Sequence, residues 1–180
     1  MLGSKPTSSA SDRGIAMQMT DEQRYLDRAI ARYSPSVATT AKHSLEKLRT
    51  IFPGASLLVY DRRQSLPIGI ASASGGSAVF SIVLYPRWVR FFFLEGVELE
   101  DPAHRLEGAG SQVRSVRVDP ETSIFDDPYI LGLIEQAAKL SRRDLRSGKS
   151  LVIIKSRFDA GTVHPPASSK RRTKKPASSR

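Results

Sequence analysis

The feature that most limits the fold is a change of hydrophobic period at Pro53-Gly54. Upstream, Val37, Ala41, Leu45, Leu48 and Phe52 recur at spacings of four, four, three and four. They lie on one face at 3.6 residues per turn, so a helix runs from Ser36 to about Ile51. Downstream the helical period disappears. Ser56–Tyr60, Leu66–Ala73, Ala78–Tyr85 and Trp88–Leu94 are short apolar runs punctuated by turn formers. Such runs read as strands pairing with their chain neighbours. Ser74-Gly75-Gly76 and Pro86-Arg87 are the turns between them, and Pro67 places its own strand at an edge or a bulge. Arg90 is the single charge in Trp88–Leu94, which predicts a strand covered on both faces with Trp88 buried.

The remaining segments complete the pattern. Thr20 with Gln23 forms a capping box, and Asp21 and Glu22 suit the first turn of a helix over Asp21–Tyr33 that Ser34-Pro35 stops. A long connector, Glu95–Ser111, leads to a strand at Gln112–Val118. Asp126, Asp127 and Pro128 open a third helix to about Arg142, with Ile130, Leu133, Ile134, Ala137 and Leu140 on one face. Leu151–Ile154 reads as a last, buried strand. Two helices, a run of strands, a helix and a strand describe an α+β fold: an antiparallel sheet of about five to six strands with helices packed on one face. No internal repeat is visible.

Charge separates the fold from its ends. The chain has 180 residues, 28 Lys+Arg against 18 Asp+Glu, and a formal net charge of +10. Lys170, Arg171, Arg172, Lys174, Lys175 and Arg180 fall in a terminal stretch without any acid. Residues 1–18 and 159–180 are rich in Ser, Pro, Ala and Gly without apolar periodicity, so they read as disordered tails around a single domain at 19–158. No apolar stretch is long enough for a membrane helix or a secretory leader, which predicts a cytoplasmic protein without a membrane partner. There is no cysteine, so disulfides and thiolate chemistry are excluded.

The segment Leu84–Val118 carries a set of motifs: Phe91–Phe93, Gly96, Glu100-Asp101-Pro102, Leu106-Glu107-Gly108-Ala109-Gly110 and Arg114. In these it resembles the YdhG-like family of small bacterial domains of unknown function, over roughly Thr20 to Arg142. The resemblance implies a frataxin-like sandwich. Because one family member is described as a frataxin-like iron chaperone, it also implies weak, non-enzymatic binding and carriage of Fe(II).

The residues offer their own candidates. Glu98, Glu100, Asp101, His104 and Glu107 crowd the connector with oxygens and one imidazole, a donor set that suits a divalent ion. A helical turn after Pro102 would put Asp101, His104 and Glu107 on one side. A solvated loop in which Asp101 caps a turn uses the same residues, and both readings stand. Gly108 and Gly110 read as turn glycines with positive φ. Trp88 and Phe91–Phe93 beside Arg87 and Arg90 suit either base stacking or core packing. Arg114 and Arg117 fall on opposite faces of their strand. Lys170, Arg171, Arg172, Lys174 and Lys175 form an anion-attracting run, so a nucleic-acid-associated accessory protein is the alternative function. A small-molecule enzyme of unknown type comes third: His43, His104 and His164 have no nucleophile elbow, phosphate loop or deaminase motif around them.

Overall fold

The computed structural model describes residues 19–121 and 123–158; both expected tails, with the basic run from Lys170 to Lys175, lie outside them. Helix α1 (Asp21–Ala31) is capped by Thr20, whose hydroxyl accepts from the Gln23 N–H at 3.2 Å; the reciprocal half of the expected capping box is not formed, because the Gln23 side chain turns to Asp27 and Arg49. Ser34-Pro35 does more than end it. The Ser34 side chain caps α2 (Pro35–Ile51), and Pro35 occupies its first turn, where no N–H is needed. The same device opens α3 (Pro128–Leu140), with Asp127 accepting from the Tyr129 N–H at 2.9 Å.

Six strands follow the expected segments: β1 (Ser56–Tyr60), β2 (Leu66–Ser72), β3 (Gly75–Leu84), β4 (Val89–Phe93), β5 (Arg114–Val118) and β6 (Val152–Ser156). They form one sheet in the order β5-β4-β3-β2-β1-β6. The α+β class holds, but the sheet is mixed. The four pairings among β1 to β5 are antiparallel, whereas β6 lies parallel to β1. The chain reaches β6 only after α3, and such a crossover through a helix is what delivers a strand in parallel. β6 is therefore a half-buried edge strand rather than the buried one expected at Leu151–Ile154.

Pro67 also needs correction, since β2 is an interior strand. The ladder to β1 stops at Val59–Ile68, one residue short of Pro67. On that side the strand is locally an edge, so the missing N–H breaks no rung.

The apolar faces of the three helices meet one face of the sheet in a single cluster. Leu26, Ile30, Leu45, Leu48, Ile130 and Ile134 pack with Leu57, Ile68, Phe80, Ile82, Phe91 and Phe93. Phe80 is its aromatic hub, stacked on Phe52 and Phe91 at 5.6 and 5.4 Å and edge-on to Phe93 at 5.8 Å. β4 is not covered on both faces. Val89, Phe91 and Phe93 are buried, whereas the alternate positions Arg90 and Phe92 are only half-buried. Trp88 is 41% exposed, against the expectation of a buried indole. The period of two along the strand accounts for it, because Trp88 shares parity with Arg90 and Phe92.

Gly54, after α2, meets a different requirement from helix termination. A Cβ there would sit 2.6 Å from the Ser147 carbonyl carbon. The residue lets the loop before β6 pass directly over the end of α2.

Candidate nucleic-acid interface

The antiparallel topology gathers several turns at one end of the sheet. The β1–β2 loop brings Arg62 and Arg63, the β3–β4 turn brings Tyr85 to Trp88, and β5 ends there because Val118 pairs with Val89. The β3–β4 turn is tight, closed by the Tyr85 N–H donating to the Trp88 carbonyl at 2.9 Å. This holds the two rings together, 5.9 Å between centroids and 39° between planes. Arg117 lies over the Trp88 ring with its guanidinium carbon 5.7 Å from the centroid. Tyr85, Trp88, Arg90 and Arg117 line an open cleft of about 400 Å³.

Charge in this cleft is incompletely neutralised. Arg90 and Arg117 stand directly opposite each other across β4 and β5, a like-charged pairing that destabilises a sheet. Arg90 is offset by Glu107 at 2.8 Å and donates to the Ser115 hydroxyl at 3.0 Å. Among the described residues, Arg62, Arg63, Arg87 and Arg117 form no ion pair, and all four are exposed. A neighbouring recess of about 300 Å³ is lined by Arg32, Tyr33, Arg62, Arg63, Pro86 and Phe158. Phe158, the last described residue, thus lies beside Arg62 and Arg63.

Beneath this end Asp61 is buried, its side chain 0% exposed. It accepts from Tyr25 Oη at 2.7 Å and from Arg32, which donates to both carboxylate oxygens at 2.6 Å. Burial pushes the Tyr25 hydroxyl above its ordinary value, and the hydrogen bond to Asp61 adds to the shift. The pair ties α1 to the end of β1 and uses up Arg32.

A second, larger cavity of about 710 Å³ lies between the start of α2 and the residues after β5. His43 lines it with Ser36, Thr40, Ser44, Asp119 and Asp126. Two of its hydroxyls are satisfied within α2, Thr40 donating to the Ser36 carbonyl at 2.9 Å and Ser44 to the Thr40 carbonyl at 2.7 Å, whereas the buried Ser123 Oγ has no hydrogen-bond partner. Asp126 receives Lys47 at 2.6 Å, which holds its carboxyl below the usual range.

The connector is organised around Asp101. Its carboxylate accepts from Tyr129 Oη at 2.6 Å and from the N–H groups of Leu106 and Arg105 at 2.8 and 3.0 Å. Tyr129 Oη in turn accepts from the Ala103 N–H at 3.0 Å. No helical turn follows Pro102, because His104 takes a left-handed φ of +50°. The three-residue spacing of Asp101, His104 and Glu107 therefore does not stack them on one side. Glu107 is drawn instead into a bridge with Ser115, by hydrogen bonds of 2.7 and 2.8 Å, and onto Arg90. Glu98 sits in a short 3-10 turn, Gly96–Glu98, and the Glu100 N–H donates to Gln136 Oε1 at 2.7 Å. Among the described residues no three His, Asp or Glu side chains are grouped closely enough to hold a metal ion. Gly108 does supply positive φ, at +135°, whereas Gly110 does not and His104 does.

Burial raises the Asp101 carboxyl, but Tyr129 and the two N–H donors outweigh this and hold it below the ordinary 3.8. A carboxyl whose native pKa is lowered adds stability above its unfolded value and loses it as pH falls through the native value. Thermal melts of Asp101→Asn should therefore show a lower Tm than the parent at neutral pH. The gap should narrow below about pH 4; an equal gap across the acid limb would contradict the assignment.

Of the expected site residues, the carboxylates of Asp101 and Glu107 are structural ties, Glu98, Glu100 and His104 are not brought together with them, and the basic run lies outside the described residues. Tyr85, Arg62, Arg63 and Arg117 do not stand out as site residues in the chain alone. The signal for their cleft is the parity of Trp88, Arg90 and Phe92 against Val89, Phe91 and Phe93. Among the described residues no helix is long and apolar enough to cross a membrane. No family model, curated protein or solved structure matches the chain.

Proposed function

We propose that the protein is a non-enzymatic domain that binds nucleic acid as a polyanion, through the arginine-bearing end of its sheet together with the run Lys170–Lys175. The observation carrying this reading is a set of exposed arginines, 62, 63, 87 and 117, around Trp88, without ion pairs among the described residues. Arg62 and Arg63 line a recess with Phe158, the last described residue. Uncompensated cations around an exposed aromatic suit phosphate contacts, which release counterions and give salt-sensitive binding with little sequence preference. Iron carriage draws no support from the connector, where Asp101 is occupied by three donors and Glu107 by Arg90. The kinship with YdhG-like, frataxin-like domains belongs to the same proposal. It is supported by the motifs of Leu84–Val118 and by helices packed on one face of the sheet.

Fluorescence anisotropy with a labelled oligonucleotide tests the reading. Deleting 165–180 should leave the melting temperature unchanged and weaken binding at low salt. Arg62→Ala/Arg63→Ala/Arg87→Ala should weaken it again. For every phosphate that a variant no longer neutralises, the log–log salt dependence should flatten by roughly 0.7–0.9. Unchanged affinity in both variants would overturn the proposal.

A further inference from the structure

We infer that the cleft at Trp88 is a stacking seat for an unpaired nucleobase, so that the protein prefers single-stranded over duplex nucleic acid. The inference rests on the reading above but on different groups. The arginines explain attraction to any polyanion; they do not explain an indole held in the open.

Trp88 is the only tryptophan of the chain and an aromatic of the sheet's surface left 41% exposed. Its position is built rather than incidental. The Tyr85–Trp88 hydrogen bond fixes the turn, the Tyr85 ring braces one side at 5.9 Å, and β5 sets Arg117 over the ring. Leaving a large apolar ring exposed gives up burial free energy that the adjoining core would supply. A base stacked on the indole would recover it. The cleft of about 400 Å³ falls in the size range of small-molecule sites. Its composition, two aromatic rings and two guanidinium groups, matches the two parts of a nucleotide: a π face for stacking and a phosphate for charge-assisted hydrogen bonds. Arg90 is partly neutralised by Glu107, while Arg117, which has no ion pair among the described residues, lies over the indole and would swing from the ring to the phosphate as the base stacks. A duplex hides the faces of its bases in its own stack; only an unpaired strand offers them to an aromatic platform.

Because Trp88 is unique, its emission reports the cleft directly. The full-length chain is titrated with oligo(dT) and with a blunt DNA duplex carrying the same number of phosphates, at a salt concentration where both bind by anisotropy. The expected result is strong quenching of Trp88 by the single strand and little change with the duplex. Trp88→Ala should lower affinity for oligo(dT) about tenfold and leave duplex affinity within about twofold, since phosphate contacts are untouched. Trp88→Phe should restore most of the single-strand affinity. Trp88 lies at the surface, so circular dichroism should be unchanged in both variants, with Tm kept in Trp88→Phe and only slightly lowered in Trp88→Ala, which loses the contacts to Tyr85 and Arg117. Quenching that is equal for the two ligands, or an equal fall in affinity for both in Trp88→Ala, would overturn the stacking seat while leaving polyanion binding intact. Failure of the parent to bind either ligand at low salt would overturn both.

Discussion

Replacing Phe80 by alanine should destabilise the domain by about 3–5 kcal/mol, the usual cost of emptying a phenylalanine site in a packed core. Phe80 is fully buried and touches three other phenylalanines, two in stacked and one in edge-on geometry. Aromatic pairs of this kind add roughly 0.5–1.5 kcal/mol each beyond the area they bury, although they are not additive in one cluster. The hub also joins layers, because Phe52 belongs to the end of α2 while Phe91 and Phe93 belong to β4. Collapse around the cavity would have to move a helix against the sheet, so little relaxation is available. Urea unfolding followed by circular dichroism should show a lower midpoint with an unchanged slope. Phe92→Ala is the internal control. That side chain lies on the other face of β4 and is only half-buried, so its cost should be a fraction of the Phe80 value. Equal losses at the two sites would contradict the face assignment.

The second large effect is expected at Arg32. Asp61 is out of water and depends on Arg32 and Tyr25 for its partners. Removing one member of a buried ion pair leaves the other charge stranded, at a cost of about 3–5 kcal/mol in comparable sites. Arg32 itself is half exposed, so water can enter from its side, and Arg32→Ala should fall near the low end, about 3 kcal/mol. Tyr25→Phe, which removes one neutral donor and leaves the guanidinium in place, should cost about 1–2 kcal/mol. The informative variant is Arg32→Ala/Asp61→Leu, which removes both charges. It should be more stable than Arg32→Ala alone, because the penalty lies in the stranded carboxylate rather than in the absence of the guanidinium. A double variant no better than the single one would show that Asp61 is reached by solvent.

Much of the architecture can be read from local chemistry. Thr20, Ser34-Pro35 and Asp127-Pro128 mark helix starts by residues whose side chains reach only two or three positions along the chain. The stripe from Val37 to Phe52 and the apolar runs of β1 to β4 likewise declare themselves within a few residues. What stays hidden depends on partners far away in sequence. The direction of β6 follows from the crossover through α3, and its own three apolar letters carry no information about it. Pro67 looks like an edge signal because the end of the β1 ladder cannot be seen from β2 alone. The connector misleads for the same reason. Asp101 is fixed by Tyr129, 28 positions later, and Glu107 by Arg90 and Ser115; without them a row of acids resembles a metal site. The Trp88 cleft is half legible. Parity along Trp88–Phe93 separates its residues into two faces, but an unbroken apolar run hides which face looks outward.

The parallel seat of β6 beside β1 bears on how the chain is made. Hydrogen bonds there join residues 95 positions apart, as between Ser56 and Leu151. On the ribosome one edge of β1 is covered early by β2, while the other stays open until β6 emerges. At roughly 5–20 residues per second that interval is about 5–20 seconds. During it, Ser-Leu-Leu-Val-Tyr is an uncapped hydrophobic edge, the kind that templates pairing with another chain. A nascent or nicked chain ending before Val152 would keep that edge permanently. Such fragments should be chaperone clients and should collect in inclusion bodies, while a chain that carries β6, once that strand has paired, leaves no such edge at β1.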